Sequence, residues 1–169
     1  MGATGAVIMG FFGALFAAMT LATQFGWNGW ALALPFLLFA VIALAAWATA
    51  RQPGRGVESS PQADRVIMWS SIAEGIGIFL AANIMINLGH RELLLPAIAL
   101  VVGLHFLPMA YAIPFRPFFA LGGALLVAAS IGFGLRSPAG ATIAGFAAAL
   151  ILWVASAIAI LRERNVKRG

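Results

Sequence analysis

An all-α, polytopic membrane fold with six spanning helices is what this sequence predicts, and three observations carry it. Of its 169 residues, 63% are hydrophobic and 9% charged, with a mean hydropathy of +1.02. Soluble domains run at about 25% charged, so composition alone excludes a water-soluble fold. The apolar residues gather in six stretches of about 20, the length that crosses a bilayer at about 1.5 Å per residue. Short turns rich in Gly, Pro and polar residues separate them. Almost no chain is left over, so the expected organisation is a single membrane domain over 1–169.

The same inventory excludes several function classes. There is no cysteine, hence no disulfide, thiolate metal site or Cys nucleophile. The net charge of +5 comes from residues in loops and tail, where Lys and Arg hold segments on the cytoplasmic side; nucleic-acid binding is not expected. No phosphate loop, HExxH helix or nucleophile–base pair is present, so a soluble-style catalytic centre has no support. The reading is of a non-enzyme without cofactor.

Span 1 is expected over 6–23. No Lys or Arg precedes it, so the basic opening of a cleavable signal peptide is missing. Ala6 stands where the myristoylation pattern wants Ser or Thr. Gly10, Ala14 and Ala18 fall four apart, a spacing that lets helix backbones approach closely. The turn 24–28 and Trp30 place two Trp with Gln and Asn at an interface. Span 2, over 29–50, is uncharged and is expected to face lipid. The longest loop, 51–65, combines Pro, Gly and Ser with three Arg, and Ser60-Pro61 resembles a helix entry.

Span 3, over 66–88, places Ser70, Ser71, Glu74, Gly77, Ile78 and Ala81 on one small and polar face at 100° per residue. Asn83 and Asn87 lie on another side, suited to interhelical hydrogen bonds or an outer vestibule. Span 4, over 93–113, contains Pro96, His105 and Pro108. Pro108 leaves the Leu104 carbonyl without its usual donor, beside His105. Pro114 and Pro117 end the helix. Span 5 is expected over 118–135. Span 6, over 139–161, repeats the small-residue spacing at Gly140, Ala144 and Ala148, and a basic, solvated tail at 162–169 follows. The two small-residue faces suggest homo-oligomer formation through helix contacts. Pro35-Phe36 and Pro117-Phe118 each open an apolar span, as a three-plus-three inverted repeat would have it.

Within the predicted hydrocarbon zone, Glu74 and His105 are the ionisable residues. Spans 3 and 4 are antiparallel neighbours joined by the turn 89–92, and each group lies about 12 Å from the cytoplasmic end of its span at 1.5 Å per residue. The two therefore share a depth. An ionised carboxylate there costs about 2.5–3.5 kcal/mol or more; it is relieved by a proton or by pairing with imidazolium. Two readings follow. In one, protonation at the pair drives a small proton-linked carrier of an apolar or cationic solute, with Ser70, Ser71, Tyr111, Asn83 and Asn87 as further polar candidates and Arg116 at the cytoplasmic mouth. In the other, the pair is a packing clasp of a structural or accessory protein. A lipid-acting membrane enzyme ranks third, because it needs a wet pocket with several convergent polar groups. His90 and Glu92 lack a third ligand for a metal, and His90 and His105 stand too far apart in depth to share a haem.

Ala73-Glu74-Gly75-Ile76-Gly77 resembles the helix of small multidrug-resistance transporters that carries a membrane-embedded glutamate. The resemblance implies exchange of protons for cationic drugs at Glu74; in that family the glutamate lies in the first of four helices, here in the third of six. Gly103-Leu104-His105-Phe106-Leu107-Pro108-Met109-Ala110 is similar to a segment of small multi-span bacterial proteins of unassigned function.

An even number of spans puts both termini on one side. The segments on that side hold eight Lys or Arg and the opposite turns two, so the termini are predicted to be cytoplasmic in a bacterial-type inner membrane. Fusing a folding-dependent cytoplasmic reporter to the C-terminus should give signal, and fusion within 89–92 should not. The reverse pattern would overturn the orientation.

Overall fold

A computed structural model describes residues 2–57, 60–113, 117–135 and 138–168. These form six α-helices: α1 (Ala3–Phe25), α2 (Leu34–Ala50), α3 (Pro61–Asn87), α4 (Leu94–Ala112), α5 (Pro117–Gly134) and α6 (Ala139–Arg168). Short 3-10 turns, Gly29–Ala33 and Arg91–Leu93, lead into α2 and α4. With those turns included, all six are long and apolar enough to cross a membrane. The described residues contain no strand.

Local chemistry sets the helix ends. Gly26 closes α1 in the left-handed region at φ 68°, its N–H donating to the Leu21 carbonyl; an L side chain would be strained there. Ser60 caps α3, its side chain accepting from the Ala63 N–H at 3.2 Å, with Pro61 and Asp64 in the first turn. That cap starts the helix at Pro61, five residues before the expected 66. Pro117 likewise opens α5. Pro108 lies inside α4, which continues through it to Ala112.

The helices gather into two compact units: residues 1–59 with 149–169, and residues 60–148. This division does not follow halves of three spans each. In the first unit α1 packs on α2 and on the second part of α6. A Cβ at Gly10 would meet Ile42, and one at Gly13 would meet the Trp153 ring at 2.7 Å. The indole N–H of Trp153 donates to the Gly10 carbonyl at 3.2 Å. In the second unit α4 is central, packed on both α3 and α5. Leu95, Val102, Phe106 and Met109 of α4 are buried with Phe118, Leu121 and Leu125 of α5, and the Phe106 and Phe118 rings stack at 5.9 Å. Gly103 and Gly122 allow close approach of these two helices, and Gly132 seats Pro96 and Ala144.

Both small-residue stripes are therefore used inside the chain. Gly10 and Ala14 of α1 are buried, and so are Ala144 and Ala148 of α6. The faces that suggested self-association are occupied by the protein's own helices. Lipid-facing exposure falls instead on α2, where Leu37, Val41, Leu44 and Trp47 are exposed, and on α3, where Met68, Ile72, Ile76, Phe79 and Leu80 are exposed.

The C-terminal segment differs from the solvated tail expected at 162–169. Helix α6 runs on to Arg168, and at 30 residues it spans about 45 Å, longer than the hydrocarbon layer needs. Its last turns are held by the 51–57 loop. The Lys167 ammonium donates to the carbonyl of Ala50, which the end of α2 leaves without a helical donor, at 2.6 Å, and to that of Gln52 in the loop at 3.0 Å. Glu163 is 7% exposed and accepts from the Val57 N–H at 3.2 Å. Gly54, at φ 111°, lies against the Lys167 main chain, where any side chain would collide. The charges that read as a solvated tail are thus partly satisfied by loop backbone.

Lys167→Met keeps the length of the stem and removes the donor. It should lower stability by about 1.5–3 kcal/mol, the range for hydrogen bonds to charged groups. Trypsin cleavage after Arg51 and Arg55 should also speed up in detergent-solubilised protein. Unchanged melting and unchanged cleavage would show that the loop does not depend on this ammonium.

Candidate functional site

Glu74 stands at the middle of α3, and His105 a little past the middle of α4. The α3–α4 contact brings them together: Nδ1 of His105 lies 3.6 Å from Oε2 of Glu74, with the side chains 8% and 13% exposed. This is ion-pair distance, slightly beyond the 2.7–3.2 Å of a hydrogen bond. Nδ1 is buried and has no hydrogen-bond partner. The imidazole also lies against the main chain of Ser70 and, edge to face, against Phe106 at 5.1 Å. The position of Gly77 one α3 turn on explains how the helices come so close. A Cβ there would meet Val101 Cγ1 at 2.8 Å.

Beside the pair runs a groove of about 480 Å³, lined by Trp69, Ser70, Ala73, Glu74, Gly77, Val101, Leu104, His105 and Pro108. The α3 wall is the i, i+4, i+8 row Trp69, Ala73, Gly77, in which two small residues follow a large one. The α4 wall is the stripe Val101, Leu104, His105, Pro108. Leu104 is exposed, and its carbonyl has a proline four residues on, so the regular helical donor is missing. The lining is mostly apolar, with the acid and the imidazole as its ionisable groups.

The other sequence candidates fall elsewhere. Ser70 is buried in the groove wall, while Ser71, one residue round the helix, is exposed. Asn83 is exposed and donates back to the Phe79 carbonyl of its own helix at 2.8 Å, so its amide is engaged locally. Asn87, the last residue of α3, is exposed. Tyr111 is 83% exposed and packs its ring on Phe119 at 5.1 Å, away from the groove lining. Arg116 lies outside the described residues. His90 and Glu92 pair with each other at 3.0 Å in an exposed turn, and no group of three or more His, Cys, Asp or Glu gathers for a metal among the described residues.

Sequence reasoning did not single out Trp69 or Val101, and it named Leu104 for its carbonyl and Ala73 within the transporter-like fragment. Their signal was available as two facing helical rows, one with the bulk removed at every fourth position. Which row faces which, however, depends on the rotation of each helix, and apolar sequences state that weakly.

Comparison with known proteins returns no match to a family model, to a curated protein or to a solved structure. The site must be read from its own chemistry. It is a polytopic membrane protein with a buried Glu–His pair between two adjoining spans.

Proposed function

We propose that this chain is a structural or accessory protein of the bacterial-type inner membrane, in which Glu74 and His105 clasp α3 to α4. The observation that carries this reading is the pair itself: two ionisable side chains, each almost buried, facing one another at 3.6 Å across the α3–α4 contact. Among the described residues α3 packs on α4 and the short turn before it. Its outer surface is exposed and apolar. In lipid, apolar surface gives α3 little reason to prefer protein over acyl chains. A polar contact that cannot be satisfied by lipid supplies that preference.

The clasp predicts energetic coupling. Glu74→Ala and His105→Ala should each destabilise the detergent-solubilised protein. The double variant should lose less than their sum by about 0.6 kcal/mol, the average for interhelical polar pairs, and by no more than about 1.7 kcal/mol. Glu74→Gln, which can still hydrogen-bond, should be milder than Glu74→Ala. Strict additivity in unfolding measurements would remove the clasp.

A second reading, the small proton-linked carrier, is favoured by one observation: the groove reaches the pair. A carboxyl and an imidazole at its wall can hold a proton in exchange for a solute. Reconstituted protein should then show proton flux after a pH jump that Glu74→Gln abolishes. Flux equal to that of empty liposomes would leave the clasp alone.

A further inference from the structure

The groove beside the pair has a chemistry that clasping α3 to α4 does not require. Its rim residues Trp69, Ala73, Leu104 and Pro108 are exposed, and all lie within spanning segments. Its mouth therefore opens at hydrocarbon depth, and an occupant arrives dissolved in the bilayer rather than from water. The volume of about 480 Å³ is within the range of small-molecule sites.

Glu74, His105 and Ser70 supply polar side chains to the groove lining, and Leu104 and Pro108 stand on its α4 wall. The acid and the imidazole together hold an unmet hydrogen-bonding capacity, since Nδ1 is partnerless and the pair stands at 3.6 Å. No Lys or Arg is among the lining residues, so an anion finds only the imidazole. A pair that shares one proton carries no net charge, and a cation brought to it would place a net charge in hydrocarbon. A neutral partner avoids that cost. A hydroxyl group both donates and accepts, so it can bond to the pair whichever member holds the proton.

We propose that the α3–α4 groove is a binding site for a neutral, membrane-dissolved molecule carrying a hydroxyl on an apolar body, an alcohol or phenol of lipid character. The hydroxyl meets Glu74, the more exposed of the two groups, and the body lies along Trp69, Ala73, Val101 and Leu104. A plain acyl chain fills the same space and leaves the pair's hydrogen-bonding capacity unmet. This goes beyond the clasp, which concerns only the contact between the two helices.

The test uses the full chain in lipid nanodiscs with a photoreactive, clickable hexadecanol. Cross-links should map to 69–77 and 101–108. Unlabelled hexadecanol should compete, and its methyl ether and hexadecane should compete at least tenfold less well. Ala73→Phe fills the groove from an exposed position without touching the pair, and it should cut labelling at least tenfold while the melting temperature holds. Should that variant fail to fold, Leu104→Trp serves the same purpose from the other wall. Glu74→Leu should reduce labelling, and Glu74→Gln should retain most of it. Equal competition by the ether or the alkane would show an acyl-chain groove only, and stronger competition by hexadecylamine would show a cation site; either overturns the proposal. Labelling unaffected by the filled groove overturns it as well. Because the filling variants keep the pair intact, these outcomes are separate from any failure of the clasp.

Discussion

Hydrocarbon offers a polar side chain nothing to bond to, and that constraint organises the second unit of this protein. A carboxyl at the midpoint of an apolar helix must find its partner within the protein. Glu74 faces His105 across the contact between α3 and α4. Gly77 lets the helices close to that distance, because a side chain there would strike Val101. The glycine and the ion pair are two parts of one contact, one steric and one electrostatic.

The same accounting explains features that look unrelated. Thr20, Thr49 and Ser156 are buried, and each returns its hydroxyl to the carbonyl four residues back on its own helix. Asn83 does so as well from an exposed face. These four polar residues are thus satisfied locally, without a partner helix, whereas the Trp153 indole of α6 reaches the Gly10 carbonyl of α1. Glu74 is different. Its ion-pair partner, His105, belongs to another helix. In the first unit the accounting runs at a helix end: the Ala50 carbonyl left over where α2 stops is taken by the Lys167 ammonium.

The groove next to the pair follows from how the contact is built. Ala73 and Gly77 are small, which allows α3 to approach, yet Trp69 and Leu104 are large and stand off at the rim. Space remains where the small residues face the apolar stripe of α4. Pro108, on the same wall, lacks the N–H that the Leu104 carbonyl would accept from in a regular helix. A clasp alone would be served by a tightly filled contact. The unfilled volume and the unbonded Nδ1 of His105 are the two observations on which the proposed binding site rests.

The amino-acid sequence by itself determined the class of this fold, the number of spans and the pairing partners Glu74 and His105. Apolar length, turn residues and the scarcity of charge are local properties, and two ionisable groups at matched depth on adjoining spans have few alternatives. Start signals were legible too, as the Ser60-Pro61 cap shows, although the cap drew the helix back to Pro61. What tertiary structure alone decided was rotation and company. It turned Ser70 into the groove and Ser71 out of it, left Tyr111 on the surface, buried both small-residue stripes inside the chain, and docked the basic end of α6 on the 51–57 loop. The reason is physical: in a chain this apolar every helix face is nearly equivalent by hydropathy, so facing is settled by steric fit and by where the few polar atoms find each other, and both depend on residues far apart in sequence.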